Sequence, residues 1–144
     1  MIQLTSPSQI IRVLSKRWDT PVVLRKLSFH PSEWPDWAES SGAFYPSRQV
    51  VLVEYTASAP TEQIMATVLH EFGHAVQFVF FFKGEASAYI ENYFYNRASR
   101  EDEAWRVGWV LATSLGIRVT GQMYDIHRAC VQGYTRLERR MEGC

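Results

Sequence analysis

An excess of one charge is what this sequence most plainly lacks. Fifteen Lys and Arg balance fifteen Asp and Glu across 144 residues, for a formal net charge of zero. Broad nucleic-acid binding needs a clear surplus of basic side chains, so no nucleic-acid partner is expected. Cysteine is scarce: Cys130 and Cys144 are the only two, and neither stands in a C-x-x-C pair. Two are too few for a disulfide scaffold. A long apolar run is also missing. The most apolar stretch, Ala75 to Phe82, contains Gln77 and is followed by Lys83. It falls short of the about 20 apolar residues that span a bilayer. The first eighteen residues have no basic start, no long apolar run and no small-residue cleavage site, so they do not read as a signal peptide. Repeats, low-complexity tracts and a linker long enough to divide two domains are absent too. The expectation is a soluble, cytoplasmic protein with reduced cysteines and no membrane partner.

What is present is a globular composition, 47% hydrophobic and 21% charged. A chain of this length can bury about two-thirds of its unfolded surface, and a single domain over residues 1–144 is expected. Residues 6–18 read as a helix, with Ser6 as cap, Pro7 at the first position and Ile10, Ile11, Val13 and Leu14 on one face. Residues 22–27 read as a short strand. Residues 28–42 hold Pro31, Pro35 and Gly42 and read as a loop pinned by Trp34 and Trp37. Residues 48–55 are β-branched and aromatic between turn residues, the best strand in the chain. A helical period then runs from Thr61 to about residue 80. After a break at Lys83-Gly84, residues 85–96 suit a short helix, Ser99 starts another that Gly116 ends, and Thr120 caps a last one to about Arg140. This order predicts an α+β fold, with a small antiparallel sheet packed beside a helical body.

The helix of residues 61–80 carries His70-Glu71-Phe72-Gly73-His74, an H-E-x-x-H motif. Residues four apart on a helix lie side by side on one face. Two imidazoles so placed can share one zinc ion at about 2.0–2.1 Å. Glu71 lies about 100° around the helix from His70. Its carboxylate can lean over the edge of the metal and take a proton from zinc-bound water, as the general base of a hydrolase. Two of the four histidines are spent on this motif.

A strand, a short turn and then Val68-Leu69-His70-Glu71-Phe72-Gly73-His74-Ala75-Val76-Gln77 resemble a zincin metallopeptidase. Among zincins, the short length and Arg100-Glu101-Asp102-Glu103-Ala104-Trp105 resemble the small ImmA/IrrE-type and minigluzincin-like peptidases. The resemblance covers roughly residues 45–116. It implies a Zn2+ cofactor, a peptide or protein substrate, and an edge strand beside the motif helix that guides the substrate. It also implies a third ligand from a Glu in a pattern like E-x-x-A-N. Trp105 stands where that family usually has Asn or Asp. The third histidine of metzincins is absent, since position 77 is Gln and position 80 is Phe.

The face of the following helix selects between candidates for the third ligand. Glu101 shares an apolar stripe with Ala104, Trp105, Gly108, Ala112 and Leu115, whereas Asp102 aligns with Arg106, Trp109 and Thr113 and Glu103 lies on a flank. Glu101 is favoured over Glu103, and it is also the position that the E-x-x-A-N-like pattern reaches when Ala104 is matched to its Ala. Small Ala104 and Gly108 would let this helix approach the motif helix closely. His30, His127, Glu85 and Glu91 are further candidates, each with a plainer reading as a surface or capping residue. Tyr89, Tyr93 or His127 could stabilise the transition state. The cluster of Phe78, Phe80, Phe81, Phe82, Tyr89, Tyr93, Phe94 and Tyr95 could be core, pocket lining or a partner surface. The run Arg136–Arg140 suits a solvated helix end. The expected function is zinc-dependent peptide hydrolysis, with residues 48–55 offering an edge to the substrate by strand addition. The alternative is a non-catalytic zincin-like module that serves as an interaction or assembly factor.

Overall fold

A computed structural model describes residues 6–142, with side chains through residue 133. Cys144 and the side chains of Arg136–Arg140 therefore lie outside the described residues. Helix α1 (Pro7–Trp18) opens with a reciprocal cap: the Gln9 backbone donates to Ser6 Oγ at 3.3 Å and the Ser6 backbone donates to Gln9 Oε1 at 3.2 Å. Strands β1 (Val22–Leu27), β2 (Ser40–Tyr45) and β3 (Val50–Thr56) follow. Then come α2 (Thr61–Val76), a π-helical extension (Gln77–Phe81), α3 (Ala86–Tyr95), α4 (Arg97–Ser114) and α5 (Gly121–Glu142). The fold is α+β.

The sheet is mixed, not antiparallel, in the order β1-β3-β2. β1 runs parallel to β3, with Val22 opposite Val51, and β2 runs antiparallel to β3, with Ser40 opposite Tyr55. Two further expectations are corrected as well. The span read as loop through residue 42 already contains the start of β2, because Ser40, Ser41 and Gly42 carry none of the usual strand signals. β3 is the central strand and has no free edge; β2 occupies the edge. The connection over residues 28–39 carries the chain past the end of β3, so β2 returns on the far side and leaves β1 parallel to its neighbour. A parallel neighbour needs such a crossover.

Helix α2 lies at the centre. Every residue from Met65 to Val76 is buried, polar ones included, as expected of a helix packed on all sides. It contacts the sheet, α1, α4 and α5, and Phe72, Leu69 and Val68 are fully enclosed. By length and composition Thr61–Phe81 could cross a membrane, but 67% of the relevant window is buried inside the protein, where it builds the core. α4 crosses α2 closely enough that a Cβ on Gly73 would stand 2.0 Å from the Ala104 carbonyl oxygen. A Cβ on Gly108 would meet the Leu69 carbonyl oxygen at 2.8 Å. Small residues at this crossing let two backbones touch, and that contact sets where α4 aims its side chains. The break after the π-helical segment is made by Lys83 and Gly84, both at positive φ. α4 begins two residues before Ser99, with Asn96 as its cap.

Candidate metal centre

His70 and His74 project from one face of α2, as their spacing requires, with ring centroids 4.8 Å apart. Glu101, in the second turn of α4, meets both. Its Oε2 lies 2.8 Å from His70 Nε2 and 3.1 Å from His74 Nε2. The three ligand atoms lie within 4.8 Å of one another, and all three residues are buried. This group can hold a metal ion. Glu71 stands beside it without joining it, with Oε1 3.7 Å from His70 Nε2. Glu103 points elsewhere, to Gln77 Nε2 at 2.9 Å and Arg100 Nη1 at 2.7 Å.

The surroundings hold these side chains in place. The Tyr93 hydroxyl donates to Glu101 Oε1, leaving Oε2 toward the imidazoles. His74 Nδ1 has Gln77 Oε1 at 2.9 Å and the Tyr89 hydroxyl at 3.1 Å. Gln77 is itself anchored by donating to the Arg100 carbonyl at 2.9 Å. Its role has a local signal, since it lies three residues beyond His74 on the same helix. Gly42 has no comparable signal. A Cβ there would stand 2.6 Å from Glu71 Cγ and 2.8 Å from Thr67 Cγ2, so its missing side chain is the room Glu71 occupies.

Electrostatics at this group follow from burial and from one shared carboxylate. Burial pushes the Glu71 carboxyl up to about 8. It also lowers His70 to about 4, against a partly compensating bond to Glu101. Burial acts the same way on His74, but there the Glu101 hydrogen bond and charge, with help from Glu71 and Gln77, prevail and raise it to about 9. The difference has a structural cause. A charged His74 finds an acceptor for each N–H, whereas His70 Nδ1 is buried with no hydrogen-bond partner. Burial alone would raise Glu101, but the hydrogen bonds from both imidazoles hold it well below the carboxylate range. Burial drives the Cys130 thiol up to about 12, with Glu101 and Glu71 adding to the effect, so it stays protonated at neutral pH.

The centre opens into a cleft of about 870 Å³. It is lined by β2 with Trp34 and Trp37, by Tyr89, Ile90 and Tyr93 of α3, and by Ile126, Ala129 and Cys130 of α5. The remaining sequence candidates fall outside this centre. His30 Nε2 donates to the Ala38 carbonyl oxygen at 2.7 Å, and its ring meets Trp34 edge-on, bracing its own loop. Glu85 and Glu91 are exposed on or beside α3 and line no part of the cleft. His127 stacks on Trp105, with its ring nitrogens bonded to Trp109 Nε1 and Asp102 Oδ1, each at 3.0 Å. The aromatic cluster divides: Phe78 and Tyr89 are buried, while Phe80, Phe81, Phe94 and Tyr95 are 60–75% exposed. No family model, curated protein or solved structure matches this chain.

Proposed function

We propose that the protein is a zinc-dependent peptidase of the zincin type, with His70, His74 and Glu101 as metal ligands and Glu71 as general base. One observation carries this reading: a buried cluster of two imidazoles and a carboxylate opens into a cleft, and a second buried carboxylate stands beside the cluster without belonging to it. A purely structural site has no use for Glu71, and it would close with a fourth protein ligand. Among the described residues no fourth ligand joins the group. The donor set suits zinc, which takes imidazole nitrogen and carboxylate oxygen in tetrahedral sites whose ligand atoms stand about 3.3 Å apart. The separations of 2.8 and 3.1 Å around Glu101 are close to that value. When bound, zinc supplies Lewis acidity, bringing the pKa of a water toward about 7 and polarising a carbonyl.

The chain's own residues supply the rest. Glu71 accepts the proton of the attacking water and returns it to the leaving amine. Gly42 leaves that carboxylate its place, and Tyr93 and Gln77 keep Glu101 and His74 aimed. The edge strand β2, which lines the cleft, takes the role first expected of residues 48–55: an extended peptide adds to its edge. The second reading, a non-catalytic interaction module, draws on the exposed Phe80, Phe81, Phe94 and Tyr95. Metal analysis combined with Glu71→Gln separates the two. For a peptidase, the variant keeps about one zinc per chain while cleavage falls by about 10²–10⁴-fold. Cleavage at the parent's rate would show that Glu71 is not the base. A zinc-loaded parent that cleaves no member of a broad peptide library would favour the interaction module.

A further inference from the structure

The two histidines of the centre are held differently. His74 Nδ1 has two polar partners, Gln77 Oε1 and the Tyr89 hydroxyl. His70 Nδ1 is buried and has none. Metal-binding imidazoles normally donate their second N–H to a carboxylate, carbonyl or water, which fixes the ring's orientation. At His70 an aromatic ring packs against the imidazole instead. The Trp105 indole lies against the imidazole with centroids 4.2 Å apart and planes tilted by 39°. Trp105 is 3% exposed, and its own Nε1 is likewise buried without a partner. The indole is therefore placed by packing and not by a hydrogen bond.

That packing is itself braced. The His127 imidazole of α5 stacks on Trp105 with centroids 5.3 Å apart and planes only 14° from parallel. His127 is locked at both nitrogens. Trp109 Nε1 donates to Nδ1 at 3.0 Å, so Nδ1 must be the acceptor and Nε2 carries the hydrogen that goes to Asp102 Oδ1, also at 3.0 Å. Asp102 in turn accepts from Arg106 Nε at 2.8 Å. A continuous set of contacts thus runs from an exposed ion pair on α4, through α5, to the ring of His70.

We propose that Trp105, braced by His127, is the positioning residue for His70, holding by ring packing an imidazole that has no hydrogen-bonded partner at Nδ1. This rests on the reading of His70 as a metal ligand, but not on the protein's being a peptidase. It assigns a function to Asp102 and His127 that neither proximity to the metal group nor the catalytic scheme provides. It also makes α5 part of the centre's support.

The test is zinc affinity, measured by competition with a chromophoric chelator, for the parent and for Trp105→Ala, Trp105→Phe and His127→Ala. Loss of an outer partner of a metal ligand costs about 10–100-fold in affinity. Trp105→Ala should lose that much, Trp105→Phe should recover most of it by restoring a ring, and His127→Ala should fall between Phe and Ala. In cobalt-loaded protein the visible bands should change in Trp105→Ala and return in Trp105→Phe, which a general loss of stability would not produce. If Trp105→Ala does not fold, His127→Ala and Trp105→Phe decide. Parent-like affinity and spectrum in His127→Ala, together with loss in Trp105→Phe, would overturn the packing role. So would parent-like zinc affinity in a folded Trp105→Ala. A parent that takes up neither zinc nor cobalt would overturn the metal reading, and this inference with it.

Discussion

Glu101 and Glu103 differ by two positions and by half a turn of surroundings. Glu101 is 6% exposed and faces both imidazoles, while Glu103 is bonded to Gln77 and Arg100. Replacing Glu101 by Ala removes a ligand of the proposed centre and leaves His74 without its counter-charge. Zinc affinity should fall by more than the about 10–100-fold typical of an outer partner. Glu103→Ala touches the centre only through Gln77, which keeps its bond to the Arg100 carbonyl. Its effect should stay within about 10-fold. Titration with a competing chelator reads both, and the reverse order would contradict the assignment. The face argument that favoured Glu101 was available from the sequence because an apolar stripe of Ala104, Trp105, Gly108 and Ala112 marks which side of α4 turns inward.

Elements matter here through two close approaches. Where α4 crosses α2, Gly73 has no room for a Cβ against the Ala104 backbone. Gly73→Ala must push the helices apart, and Glu101 rides on α4 only three residues before Ala104. Overpacking of this kind costs about 1–3 kcal/mol. The melting temperature should drop and zinc affinity should fall with it. Where β2 passes α2, the same substitution at Gly42 strikes the Glu71 side chain, not backbone. Gly42→Ala should therefore leave zinc affinity near the parent's while lowering cleavage, since Glu71 must move and the ligands need not. Calorimetry, chelator competition and a peptide assay on the two variants distinguish these outcomes. Comparable zinc loss in both would show that β2 supports the ligands as well. The close helix crossing was foreseeable from small residues at Ala104 and Gly108. The approach of β2 was not, because Ser40, Ser41 and Gly42 look like loop.

For the whole molecule, the buried titratable groups tie stability to pH. In the metal-free protein His74 is raised from an ordinary 6.5 to about 9, so its contribution is complete below about 6.5 and is lost as pH rises through about 9. Glu71 is raised from 4.5 to about 8; folded Glu71 keeps its proton where the unfolded chain has released it, which costs stability progressively from about 4.5 to 8. His70 acts with the opposite sign. Lowered to about 4, it binds fewer protons folded than unfolded between about 4 and 6.5, so its contribution grows with pH over that range. Above about 6.5 only the two unfavourable trends remain among these three. Chelator-treated protein should melt at a lower temperature at pH 9 than at pH 6.5. Metal must displace the His74 proton, so zinc should raise the melting temperature, release about one proton or more per ion near pH 7, and bind less tightly in acid. Thermal melts across pH, with and without zinc, check the pattern. A metal-free protein more stable at pH 9 than at pH 6.5 would show that the His74–Glu101 pair does not hold its proton as described.

Periodicity and motif spacing determined the helical body and the pairing of His70 with His74 on one face, and they favoured Glu101 over Glu103 as the inward-facing carboxylate of α4. These are properties of the helix itself: residues three or four apart share a side whatever they pack against. The order of the strands, the parallel pairing of β1, the edge position of β2 and the fit of Glu71 against Gly42 were decided only by tertiary structure. Strand pairing depends on where a loop carries the chain, and residues 28–39 hold no local signal of the side on which they end. The same holds for the ring of His127, which reaches Trp105 only because α5 folds back across α4. Local rules place side chains around an axis, but the contacts between axes arise from packing over the whole chain.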